Sequence, residues 1–156
     1  MSQRTLAEAT IKIKDGTGTP LEIVVKIGEG NITFSEKRAV EYTLDRGTLD
    51  TVRLGDEEPV DVSFDFTWEW LKSSTLTTTS DNIRDIIKGV TPYVSTSSDD
   101  CEPYACDIEV AFDPACGDID ETIVLADFRY EEMSYDLSAG TVSVTGKCNL
   151  STLTFA

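Results

Sequence analysis

Strict alternation of apolar and polar residues dominates this chain. Val60, Val62, Phe64, Phe66, Trp68 and Trp70 hold the even positions of one run, and Asp61, Ser63, Asp65, Thr67 and Glu69 the odd ones. A period of two belongs to a strand buried on one face, so 60–70 predicts a long antiparallel strand with its Phe and Trp side chains in the core. A Trp stripe could also line a carbohydrate platform, but beside Phe64 and Phe66 it reads as core. Weaker alternation predicts further strands at 9–14, 21–27, 31–34, 39–44, 106–112, 121–125, 128–136 and 140–155, the last with a break near Gly146. Turn chemistry separates them: Asp15-Gly16-Thr17-Gly18, Gly28-Glu29-Gly30-Asn31, Gly55 through Pro59, and Ser138-Ala139-Gly140.

One segment has helical spacing. Ile83, Ile86 and Ile87 share a face, Ser80 can cap, Asp81 suits the first turn, and Gly89 stops the run. So short a helix, over 80–89, must lean on a sheet. The expected fold is mainly β: an antiparallel β-sandwich or open barrel of about eight strands with one short flanking helix. It fills a single domain, 1–156, with an extended N-terminal arm over 1–9. Two segments stand outside that scheme. Residues 43–59 read as a long charged loop carrying Asp45, Arg46, Asp50, Arg53, Asp56, Glu57 and Glu58, and 91–103 reads as irregular and Ser/Thr/Asp-rich.

Composition narrows the function. The 156 residues hold 13 Lys+Arg against 29 Asp+Glu, a net charge of −16, and no His. The surplus of acid argues against a protein that neutralises nucleic-acid phosphates or docks on anionic lipid. The missing His removes the commonest general base and metal ligand. Charge is uneven as well: from Asp99 to Asp136, Arg129 is the only cation. Such a field keeps a protein soluble and repels polyanions. No apolar leader opens the chain and no stretch is long enough to span a bilayer, so the expectation is a soluble product of the cytoplasm.

The candidate chemistry is thin. The carboxylate clusters 56–58, 99–102, 118–121 and 131–132 could supply a glycosidase pair, but with so many acids some pair fits by chance. Asp118-x-Asp120 offers oxygen ligands to calcium yet lacks the EF-hand frame. Cys101, Cys106, Cys116 and Cys148 are disulfide candidates, with structural zinc or buried thiols as the other readings. Sequence does not choose among the three complete pairings. No phosphate loop exists, since Gly28-x-Gly30 precedes a strand. The reading is non-enzymatic, with no cofactor and no metal.

Three segments together resemble the tail tube (major tail) proteins of tailed bacteriophages. They are Lys26-Ile27-Gly28-Glu29-Gly30-Asn31 running into Glu36-Lys37-Arg38, then Tyr42-Thr43-Leu44-Asp45-Arg46-Gly47 through Asp56-Glu57-Glu58-Pro59-Val60, and the closing 140–149. The resemblance is one of order and texture over most of the chain. It implies a β-sandwich or barrel with one helix, hexameric rings whose inner strands join around a lumen, and rings stacked into a tube that conducts DNA without specific binding. It also implies a virion location in the tail, assembly in the host cytoplasm, no membrane, and partners among sheath, tape-measure, baseplate or tail-tip and terminator proteins. On that reading Asp45, Arg46, Asp50, Arg53, Asp56, Glu57 and Glu58 are inter-ring contact candidates. The lumen-facing candidates are Asp61, Asp65, Glu69, Asp107 and Glu109. The family pattern does not account for the four cysteines. Rival readings are a capsid decoration or head–tail connector protein, or a β-sandwich module that binds a ligand such as a calcium-dependent glycan.

Overall fold

The computed structural model describes residues 9–18, 22–24, 31–67, 83–90, 93–113 and 120–155. Among them nine strands and one helix follow in the order β1 (Ala9–Lys14), β2 (Glu22–Val24), β3 (Ile32–Ser35), β4 (Val40–Asp45), β5 (Thr48–Leu54), β6 (Val60–Thr67), α1 (Ile83–Lys88), β7 (Cys106–Phe112), β8 (Glu121–Asp136) and β9 (Thr141–Cys148). Seven strands form one sheet in the order β2-β1-β7-β8-β9-β6-β3, with every pairing antiparallel. The sheet curls into a half-barrel, which makes the mainly β, open-barrel expectation correct. Among the described residues β4 and β5 pair only with each other, as a two-stranded ribbon.

The alternation of β6 does what its pattern demands. Val60, Val62, Phe64 and Phe66 are buried, while the intervening residues are exposed or half-buried. β9 mirrors it in register, Phe64 opposite Val144 and Phe66 opposite Val142, so both strands bury the same face. Ile11 and Ile13 of β1, Ile108 and Val110 of β7, and Ile123, Leu125 and Phe128 of β8 complete that face. Phe64 touches Phe66 and Phe128 in tilted pairs at ring separations of 6.0 Å, the offset geometry aromatic quadrupoles favour. The helix closes the core with Ile83, Ile86 and Ile87, all buried. Gly89, at φ 77°, then ends it by donating to the Asp85 carbonyl.

Several expectations need correction. The predicted strands 121–125 and 128–136 are one strand of sixteen residues. It pairs with β7 through Phe128 and with β9 from Phe128 onward, and bends between them at Asp127, whose φ is +52°. The break foreseen near Gly146 is not in β9, which runs unbroken to Cys148 rather than to Phe155; the irregularity is a bulge in β8 between Tyr130 and Glu132. The charged loop foreseen over 43–59 is mostly a hairpin. Arg46 and Gly47, at φ 54° and 82°, make the two-residue turn that joins β4 to β5, and positive φ at both positions is what such a tight hairpin requires. Residues 93–105 are irregular, as expected, and are strapped to the end of the sheet. Buried Asp15 accepts from the Val94 amide, and Thr96 donates to Asp127 at 2.8 Å. Trp68, Glu69, Trp70, Ser80, Asp81, Cys116, Asp118 and the arm before Ala9 lie outside the described residues. No helix among the described residues is long and apolar enough to cross a membrane.

Candidate functional site

The ribbon is the most unusual surface of the molecule. Val40, Tyr42 and Leu44 alternate along β4, opposite Leu54, Val52 and Leu49 of β5. A bulge between Thr43 and Leu44 leaves Asp50 as the extra residue, and this rephases β5 so that Leu49 joins the same face. Tyr42, Leu44, Leu49, Val52 and Leu54 are 61–69% exposed, a contiguous apolar face in water. The opposite face is polar and internally matched: Arg53 pairs with Glu41 at 2.5 Å, and the Thr43 hydroxyl bonds Thr51. Isolated two-stranded ribbons are marginal in water, so this one is built to be covered.

The seven charged residues singled out from sequence fall on and around that ribbon. Asp45 and Arg46 sit at its tip, Asp50 at the bulge, and Arg53 on the polar face. Asp56, Glu57 and Glu58 line an open cleft at its root with Lys37 and Arg38. Sequence reasoning missed the apolar face. Its signal was present at Val40, Tyr42 and Leu44 and at Val52 and Leu54, but one bulge breaks the phase between the two halves.

A second candidate surface is the sheet face turned away from the core. It carries Asp61 and Asp65 on β6 and Asp107 and Glu109 on β7, together with Ser63, Ser143 and Thr145. The acids there are not equivalent. Asp61 is paired with Lys37 and lies near Lys147, and the bond from Lys37 holds its carboxyl below the usual aspartate range. Glu109 is bonded by Lys14 at 2.6 Å. Asp107 accepts the Asp127 amide at 3.0 Å; burial first, and then the Asp127 charge, push its carboxyl up, against the opposing pull of that amide, Thr96 and Lys14.

The described cysteines do not bridge. Cys101, Cys106 and Cys148 are free thiols. Cys106 and Cys148 both lie opposite Phe128, one on each side of β8. At ~4.8 Å per strand that separates them by roughly 9–10 Å, beyond the ~7 Å that a disulfide spans between Cα atoms. Burial raises both thiols, Cys148 to about 12, so they are protonated and inert at neutral pH. Among the described residues no group of three or more Cys, Asp or Glu is arranged to hold a metal ion.

No protein-family model and no curated protein matches this chain. Solved structures do. A chain from the sheath/tube terminator of an extracellular contractile injection system (PVC), in its extended state, aligns over 100% of this chain and 98% of its own length, with 8% identity and a TM-score of 0.55. A chain from the baseplate of the anti-feeding prophage (AFP), 6-fold symmetrised, aligns over 100% and 97%, with 9% identity and a TM-score of 0.46. At such identity the first likeness is one of fold: the half-barrel with its helix is an architecture this chain has in common, end to end, with a component of a contractile injection machine.

Proposed function

We propose that this protein is a structural, non-enzymatic subunit of a phage-tail-like tube. It builds hexameric rings, and the rings stack into a tube that passes DNA without binding it. The observation that carries the reading is the free-standing β4–β5 ribbon, which leaves an apolar face exposed on a protein otherwise well folded around one core. A subunit that grips its neighbours uses such an arm, since exposed apolar patches and open strand edges are surfaces on which proteins associate. Full-length likeness to an injection-system chain supports the same reading. The residues at the tip and root of the ribbon, Asp45, Arg46, Asp50, Arg53, Asp56, Glu57 and Glu58, are then the contacts between rings. Asp61, Asp65, Glu69, Asp107 and Glu109 are the candidates for a lumen whose negative field lets a polyanion slide. Sheath, tape-measure, baseplate and terminator proteins are the further partners, and the tail of a virion is the location.

A second reading is favoured by the likeness to a chain of a sheath/tube terminator: a subunit that ends a tube rather than one that extends it. Sedimentation velocity with negative-stain microscopy of the purified chain separates the two. Long tubes support the tube subunit, rings that never stack support the terminating ring, and a monomer at every concentration refutes both. Salt should promote assembly, because copies carrying −16 each repel over about a Debye length, ~8–10 Å at moderate salt.

A further inference from the structure

We propose that the strap over 93–105 is a latch on the end of the sheet, set by whether the Asp107–Asp127 carboxyl pair that holds its central pin, Thr96, carries a proton. The inference stands apart from the tube reading and is tested without it.

The strap is built to lift. Tyr93 and Ala105 are buried at its two ends, but every residue between them is exposed or half-buried. Polar bonds therefore hold it down. The Val94 amide donates to the Asp15 carboxyl at 3.2 Å, and the Gly16 amide to the Val94 carbonyl at 2.8 Å. Backbone lies directly on backbone there, since a Cβ on Gly16 would stand 2.0 Å from the Ser95 carbonyl oxygen. Toward the other end Arg129 donates to the Pro103 carbonyl and to Glu102, each at 3.0 Å. Between these anchors the Thr96 hydroxyl donates to Asp127 at 2.8 Å. Raising 94–103 gives up hydrogen bonds that water replaces and uncovers none of that span's side chains from the core, so it opens more cheaply than the sheet.

The pin rests on two acids. Asp107 accepts the Asp127 amide at 3.0 Å, and the Thr96 hydroxyl is within bonding reach of both carboxyl groups. A hydroxyl has one proton to give. With Asp107 neutral, Asp127 takes that proton unopposed; with both ionised, the two carboxylates compete for it and repel each other in a half-buried site. The neighbours relieve this only in part. Lys14 of β1 stands in register with Asp107 and favours its charge, but it is bonded to Glu109 at 2.6 Å. Arg129, two residues beyond Asp127 on β8, is engaged by Glu102. Cys106 beside Asp107 and Cys148 of β9 are thiols that stay protonated at neutral pH. Burial first, and then the Asp127 charge, make the closed strap hold the Asp107 proton more tightly than an opened, solvated one, where the ordinary aspartate value of ~3.9 applies. Closure is thus fully favoured below about pH 4 and weakens as pH rises through the raised value, the opening constant growing by up to about tenfold per pH unit between the two.

The test is hydrogen exchange of the full chain from pH ~4 to ~8, corrected for intrinsic rates and read by mass spectrometry on peptides from 93–105 and, as control, from 141–148. In the wild type, opening of 93–105 should grow about tenfold or more across the series while 141–148 stays constant. Asp107→Asn, which imitates the neutral acid, should remove the slope and keep the strap closed. Thr96→Val should leave the strap open throughout the series, and it decides the matter should Asp107→Asn misfold. A flat wild-type profile, an equal slope in Asp107→Asn, a Thr96→Val strap as protected as the wild type, or 141–148 opening in step with the strap would each overturn the inference. Whether the chain forms tubes bears on none of these readings.

Discussion

Gly146 is a strand position where adding a single carbon should damage the sheet. It lies in the middle of β9, opposite Tyr130, beside the bulge that β8 makes at Glu131. A Cβ there would stand 2.2 Å from the Arg129 carbonyl oxygen, 2.8 Å from the Tyr130 Cα and 2.9 Å from Cε2 of Phe128, where ordinary contact begins near 3.4 Å. Two of those three obstacles are backbone, so no rotamer change relieves the clash. The strands must part by about 1 Å, which stretches the flanking ladder hydrogen bonds beyond useful length. Overpacking of this kind costs ~1–3 kcal/mol, and two weakened ladder bonds add ~1 kcal/mol each. Gly146→Ala should therefore lose ~3–5 kcal/mol, a large share of the ~5–15 kcal/mol that holds a typical domain. Urea unfolding followed by circular dichroism measures it, with Gly18→Ala as the control, since a Cβ on Gly18 meets nothing within 4 Å. A loss under ~1 kcal/mol at unchanged m-value would refute the close approach of β8 and β9.

Four further outcomes follow from the same geometry. Asp107 has its folded-state pKa raised by burial and by Asp127, so the folded protein holds that proton more tightly than the unfolded chain. Its contribution to stability is then full below the unfolded aspartate pKa of ~3.9 and is lost as pH rises through the folded value; Asp107→Asn should raise the melting temperature at pH 7, and the gain should vanish near pH 3. Native protein treated with iodoacetamide should label Cys101, which is exposed, well before Cys106 or Cys148, which are buried; mass spectrometry of the modified peptides reads the order. Replacing 45–57 with a short turn should leave the melting temperature of the half-barrel within a few degrees while abolishing ring stacking in negative stain, because no core side chain lies in that span. Asp65→Lys should leave folding nearly unchanged, as a half-buried side chain on the face away from the core, and should slow DNA ejection from a phage carrying it; ejection at the normal rate would place Asp65 outside the lumen.

The sheet was legible because its strands bury one face and expose the other. Val60 to Phe66, Ile11 and Ile13, and Val142 and Val144 all sit where a period of two puts them. The helix was legible from Ile83, Ile86 and Ile87, whose spacing fits only one face of an α-turn. What failed did so at irregular backbone. Asp127 adopts positive φ within a strand, so a bend looked like a gap between two strands. Gly146 was read as a break in its own strand, although the glycine accommodates a bulge in the neighbour. The ribbon was hidden twice over: Arg46-Gly47 lacks the Asn-Gly or Asp-Gly signature of its turn, and Asp50 shifts the phase of β5. Charge at Asp45, Arg46, Asp50 and Arg53 drew attention to this arm but concealed its apolar side.

Cryo-electron microscopy of the assembled wild-type chain tests the central claim most directly. The account predicts six-fold rings stacked in a tube, each ribbon seated on a neighbouring copy with Tyr42 and Val52 buried and Arg46 at the contact between rings. Particles that remain monomeric at high protein and high salt, or an assembly in which the ribbons project into solvent, would contradict it.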